Sequence, residues 1–108
     1  MDADDGGQVP VLGFANPRFH AGVNLSVRRG TGWLGVPKVR IELGGGRLSA
    51  PLALATTALR FDQLRDADLA DEHDPACRSV AGLLAVMRRC YPGFAPAHTV
   101  TLCRFVLD

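Results

Sequence analysis

Lysine is almost absent from this chain: Lys38 stands alone, and every other basic residue is arginine. That excludes a lysine-studded surface and leaves the planar guanidinium fork, which suits phosphates and base edges, as the main cation. A GC-rich genome would produce the same bias without any function. A surplus of charge is also missing, since the formal net charge is +1. No overall field therefore draws the protein to nucleic acid, and any polyanion contact must come from a local patch. Paired cysteines are lacking too. Cys77, Cys90 and Cys103 are widely spaced with no CxxC pair, which argues against a disulfide framework and a metal site. No metal or cofactor is expected, and the thiols read as reduced and mostly buried. No apolar run is long enough to cross a bilayer. The opening MDADDGG is acidic where a secretory signal would be basic and then apolar, so a cytoplasmic protein is expected.

What the chain does have is an apolar content of 47% within 108 residues, the profile of one globular domain. Residues 1–8 read as a flexible lead-in and 9–108 as the domain. VPVLGF (9–14) suggests an extended first segment. VNLSVRR (23–29) and KVRIEL (38–43) alternate with period two, as half-buried strands do. GGGR (44–47) predicts a turn into a returning strand over 47–61, bulged near Pro51, where no N–H is available for a ladder. The acidic stretch 62–76 has helical propensity. Ser79 suits the N-cap of a helix running to about Tyr91, with Val80, Leu83, Leu84, Met87 and Tyr91 on one stripe. YPGF stops that helix, and HTVTLCRFVL (98–107) alternates as a last strand. An α+β, mainly β fold follows: a small barrel, closed by the last strand to remove exposed edges, with one or two helices packed against it.

The stretch PRFHAGVNLSVRRGTGW (17–33) carries unusual hydrogen-bonding capacity. Alternation places Asn24, Ser26 and Arg28 on one face of a strand, where they form either a ligand cleft or a solvated edge. His20 is a candidate acid or base, or a structural histidine. Trp33 either stacks on a nucleobase or plugs the core. Arg29 lies on the opposite strand face, and His73 and His98 read as surface residues. The acidic run suggests a solvated face from which Asp71 or Glu72 reaches the cleft and pairs with Arg28.

Gly22, Asn24, Ser26 and Arg28 together resemble the signature of ASCH domains in the PUA-like superfamily, which combines a glycine, a lysine, a serine or threonine and an arginine at short intervals. PRFHAG before it, and RFDQLRDADLADEH, a helix, YPGF and VTLCRF after it, follow the ASCH order across roughly residues 10–107. The resemblance implies a PUA-like β-barrel that binds RNA, a nucleotide or a modified nucleoside through a cleft beside strand 23–29. It implies Asn24, Ser26, Arg28, His20 and Trp33 as ligand-binding residues. An alternative is a hydrolase of a modified nucleoside or of RNA, with Ser26 and Glu72 (or Asp71) as catalytic residues. The chain departs from the signature at the lysine, where Asn24 stands; an amide is neither a base nor a nucleophile, but it can read a base edge. A protein-interaction barrel without a working cleft is the third expectation.

Overall fold

A computed structural model describes residues 9–108; the lead-in expected over 1–8 lies outside the described residues. Among the described residues, seven strands and one α-helix follow in chain order: β1 (Val11–Leu12), β2 (Gly22–Arg29), β3 (Lys38–Gly44), β4 (Arg47–Leu48), β5 (Leu52–Ala53), β6 (Ala55–Arg60), α1 (Val80–Cys90) and β7 (Thr99–Leu107). The acidic stretch forms short 3₁₀ turns at Phe61–Gln63, Asp66–Leu69 and Pro75–Cys77 rather than a continuous helix.

The strands form two sheets. In one, β3 pairs with β1 in parallel and with β4 and β5 antiparallel. In the other, β7 runs antiparallel between β2 and β6. The β3–β4 hairpin turns through Gly44, Gly45 and Gly46, all at positive φ (100°, 62° and 79°), where a Cβ would be strained.

The sheets do not close into the barrel expected from the sequence. The returning segment 47–61 is not one bulged strand. Its parts β4 and β5 pair with β3, and after Leu54 the chain crosses to the second sheet as β6. Because β7 finds both partners within the second sheet, it is not free to seal the first.

β7 is covered on both sides, and its parity divides the core in two. Val100 and Leu102 face Leu25, Val27, Phe61, Leu83 and Met87 under α1. Cys103 and Phe105 face Leu12, Val39, Ile41 and Leu54 of the first sheet and its crossover. The layers are therefore helix, sheet and sheet, each buried face contributing roughly 25 cal/mol per Å² of apolar area removed from water.

Helix α1 starts where expected. The Ser79 hydroxyl accepts the Gly82 N–H at 3.0 Å, and Asp66 Oδ1 accepts the Val80 N–H at 2.8 Å. Such a cap contributes about 1 kcal/mol. Gly82 is needed for close approach, because a Cβ there would lie 2.2 Å from the Ala76 carbonyl oxygen.

Candidate functional site: a polar cleft at the open edge of β2

On its outer side β2 meets a single residue of the acidic segment. Leu25 N–H donates to the Asp71 carbonyl (2.8 Å) and His73 N–H donates to the Leu25 carbonyl (2.9 Å), a one-residue parallel bridge between Leu25 and Glu72. The bridge cannot continue, since Pro75 has no N–H to offer the next position of β2. Val27 shares the backbone orientation of Leu25, away from β7, and among the described residues no backbone partner meets it there. A cleft of about 420 Å³ opens at this break.

Four segments wall it. Gly13 to Asn16 leave β1 and are held by the Glu42 side chain of β3, whose Oε1 accepts the Phe14 N–H at 3.4 Å. Ser26 to Arg28 come from β2, Glu72 to Asp74 from the bridge, and Met87, Arg89, Cys90 and Tyr91 from the end of α1.

Arg28 is fixed on three sides. Its Nε donates to Ser26 Oγ at 2.9 Å, and its Nη2 donates to the Gly13 carbonyl at 2.7 Å. Its guanidinium carbon lies 4.7 Å from the centre of the Phe14 ring, a cation–π contact. Nη1 has no hydrogen-bond partner among the described residues and is not sealed from solvent. Burial pulls the guanidinium below its ordinary value, against the opposing pull of Cys103, Tyr91 and Glu72. It remains a cation near neutral pH.

Glu72, 1% exposed, is the acidic residue that reaches the cleft, whereas its neighbour Asp71 is exposed and contributes a backbone carbonyl. Glu72 Oε1 lies 2.6 Å from His73 Nδ1, an ion-pair contact when the ring is protonated, and accepts the Asp74 N–H at 3.1 Å. Oε2 has no such partner among the described residues and is not sealed. His73 is half-buried rather than a surface residue. Its ring meets Phe14 edge-on (4.7 Å between centres) and lies 5.7 Å from Phe19. Asp74 completes the wall. Burial opposes its charge, but the Ala76 N–H, the Asn16 amide and the neighbouring His73 and Arg18 hold its carboxyl below the usual value.

Ser26, Arg28 and Glu72 thus meet in one hollow, while the other three candidates do not line it. Asn24 is fully buried and its amide is engaged. Oδ1 accepts the His20 N–H (3.2 Å), and Nδ2 donates to the carbonyls of His20 (2.6 Å) and Gly22 (3.2 Å). The His20 ring lies 3.2 Å from each of the Ala21 and Asp71 carbonyls, tying the loop before β2 to the bridge. Trp33 packs against the core between the sheets. The polar face of β2 is therefore not a solvated edge. Asn24 and Ser26 pair in register with Phe105 and Cys103 and share their inter-sheet side.

His73, Phe14 and Tyr91 are the participants the sequence did not single out for the cleft. One signal pointed to His73: it directly follows the acid expected there. A second, more apolar hollow of about 470 Å³ lies elsewhere, between Leu52 to Ala55 and the β7 end, beside the exposed register pair Val23 and Val106.

No family model, curated protein or solved structure matches the chain. No helix among the described residues is long and apolar enough to cross a membrane.

Proposed function

We propose that the cleft beside β2 binds a nucleotide or a single-stranded RNA segment. The observation that carries this is Arg28. The protein holds its guanidinium through Ser26, Gly13 and Phe14, leaves Nη1 without a partner among the described residues, and sets Arg28 in the wall of a hollow of about 420 Å³. That size is in the range of small-molecule sites. An immobilised arginine with a free edge is a phosphate ligand at low entropic cost. Arg89 on the α1 wall adds a second cation, and Glu72 Oε2, which has no hydrogen-bond partner among the described residues, offers an acceptor for an exocyclic amine of a base. The ASCH-like order of motifs supports the same ligand class.

The test is binding of nucleoside monophosphates and short RNA at two salt concentrations. Affinity falls with salt in proportion to the phosphates neutralised, and Arg28→Ala raises Kd at least about 10-fold. Absence of binding, or an unchanged Kd in Arg28→Ala, rejects the proposal. The pairing of Glu72 with His73 favours a hydrolytic second reading, and the apolar groove at Val23 and Val106 favours protein contact.

A further inference from the structure

Away from the cleft, the end of β7 carries an unfinished edge. Leu25 turns its N–H and carbonyl away from β7, toward His73 and Asp71, so Val23, two residues earlier, turns the same way. Their register partners Arg104 and Val106 therefore point their backbone groups away from β2, toward the β6 side. Arg104 meets Ala55, the first residue of β6. No residue of β6 stands opposite Val106, because Ala53 pairs with Lys38 of β3 instead. Among the described residues no backbone partner takes the Val106 N–H or carbonyl. The apolar hollow of about 470 Å³ runs along this edge, with Leu52 to Ala55 on one side and Arg104 to Val106 on the other. Arg104 is its one charged lining residue. The guanidinium makes no hydrogen bond or ion pair to the protein among the described residues, and it is not sealed. Apolar walls, an unpaired cation and an unpaired backbone step together define the chemistry of what fits there.

We infer that this groove docks an extended peptide in which an acidic residue stands between two apolar ones. The backbone decides the class of occupant. A small apolar acid would satisfy Arg104 but cover the Val106 N–H and carbonyl without pairing them, which is costly. An extended peptide pairs both as a short added strand: its carbonyl accepts the Val106 N–H, and its N–H donates to the Val106 carbonyl. Strand parity then orders the side chains. The residue opposite Val106 lies on the sheet face that Val106 shares with Arg104, where a carboxylate reaches the guanidinium diagonally. The residues before and after it point to the other face, toward Phe105 and Leu54, and are apolar. Val23, exposed beside Val106 in register, extends the apolar floor. The surface is independent of the nucleotide cleft, since the two hollows share no lining residue.

The experiment titrates the full chain into a fluorescent, end-blocked peptide, Thr-Val-Glu-Val-Thr, and follows its anisotropy. Saturable binding is expected, and the same peptide with glutamine in place of glutamate binds at least about 5-fold more weakly. Methylating the glutamate backbone nitrogen removes the donor to the Val106 carbonyl and weakens binding by a similar factor. Arg104→Gln erases the preference for glutamate over glutamine. Val106→Pro removes an N–H that the ladder to β2 does not use, so the strand pairing survives while the peptide loses a hydrogen bond. A nucleoside monophosphate does not compete with the peptide. The three peptides are compared on the unmodified protein, so the result stands even where a variant fails to fold. No saturable binding overturns the inference. Equal binding of the glutamate and glutamine peptides, or an unchanged affinity for the N-methylated one, does the same. Octanoate that binds where the peptide does not assigns the groove to a small apolar acid and also overturns it. None of these failures touches nucleotide binding in the cleft, which is measured separately.

Discussion

The two ends of β2 present the same kind of polar face and use it in opposite ways. At the start of the strand, Asn24 is fully buried, and both ends of its amide bond to the backbone of His20 and Gly22. Two and four residues on, Ser26 and Arg28 also make hydrogen bonds, but these leave one guanidinium nitrogen without a partner among the described residues, and both side chains line the cleft. The difference lies in what docks on the outer edge of the strand. His20 and the Leu25–Glu72 bridge cover the first half, and Pro75 ends that cover before Val27. A polar residue in a strand is thus structural or available according to the segment beside it, not according to its own chemistry.

The sharpest way to break this comparison is at the sealed end. Asn24→Ala leaves a buried N–H and two carbonyls without their partner, which costs roughly 2–4 kcal/mol of stability. Urea unfolding followed by the single tryptophan measures it. The folded fraction keeps its affinity for nucleotide, because Asn24 does not line the cleft. A loss of affinity at wild-type stability would return Asn24 to the ligand and erase the contrast.

The three thiols report the same contrast with a smaller effect. Cys103 lies between the sheets and Cys77 is buried on the cleft wall, whereas Cys90 is exposed at that wall. Burial pushes Cys77 up to about 12 and Cys103 up to about 11. The folded protein therefore keeps both protons above pH 9, where the unfolded chain releases them. The stabilisation is complete below pH 9 and is lost as pH rises from there to about 11 for Cys103 and about 12 for Cys77. By pH 10 the loss is on the order of 1 kcal/mol per thiol. Urea midpoints at pH 8, 9 and 10 show it, and Cys103→Ala removes its share. At pH 8 a thiol reagent modifies Cys90 alone, and a nucleotide in the cleft slows that reaction.

Elements whose signals lie within a few residues of each other were legible in the sequence. The alternation of β2, β3 and β7, the glycine turn after β3, and the Ser79 cap of α1 all depend on neighbours in the chain. The parity that grouped Asn24, Ser26 and Arg28 also holds. Barrel closure failed as an expectation because it depends on which distant strand β7 meets, and edge protection here comes partly from a single bridge at Glu72. The acidic stretch breaks into 3₁₀ turns because Asp66 and Asp74 spend their carboxylates on backbone N–H groups of Val80 and Ala76. The roles of Asn24 and His73 were hidden for a related reason. The Asn24 partners are in the preceding loop, and the Phe14 and Phe19 rings that hold His73 are more than fifty residues away.

Ser26 sharpens the comparison at its open end. Its hydroxyl meets the ligand only through Arg28, whose Nε it receives at 2.9 Å. Ser26→Ala therefore weakens nucleotide binding by about 1 kcal/mol, roughly 5-fold in Kd, by loosening the guanidinium. The same substitution in an Arg28→Ala background changes nothing further, and a double-mutant cycle by isothermal titration measures that coupling. Additive losses would mean that Ser26 touches the ligand itself.

The smallest effect belongs to Arg29, the residue next to Arg28 on the other strand face. It is exposed, and its guanidinium carbon lies 4.5 Å from the centre of the Tyr91 ring at the end of α1. The two arginines thus both lie over aromatic rings, but among the described residues only Arg28 of the two finds protein oxygens to anchor it by hydrogen bonds. An exposed cation–π contact is worth about 0.5–1 kcal/mol. Arg29→Ala lowers stability by no more than that, and it uncovers the Tyr91 ring that lines the cleft. If phosphate recognition rests on anchored geometry rather than on the number of cations, Arg29→Ala changes nucleotide affinity less than 3-fold and Arg28→Lys loses most of it, since an ammonium cannot reproduce the fork. Equal losses in the two variants would show that the cleft responds to charge alone.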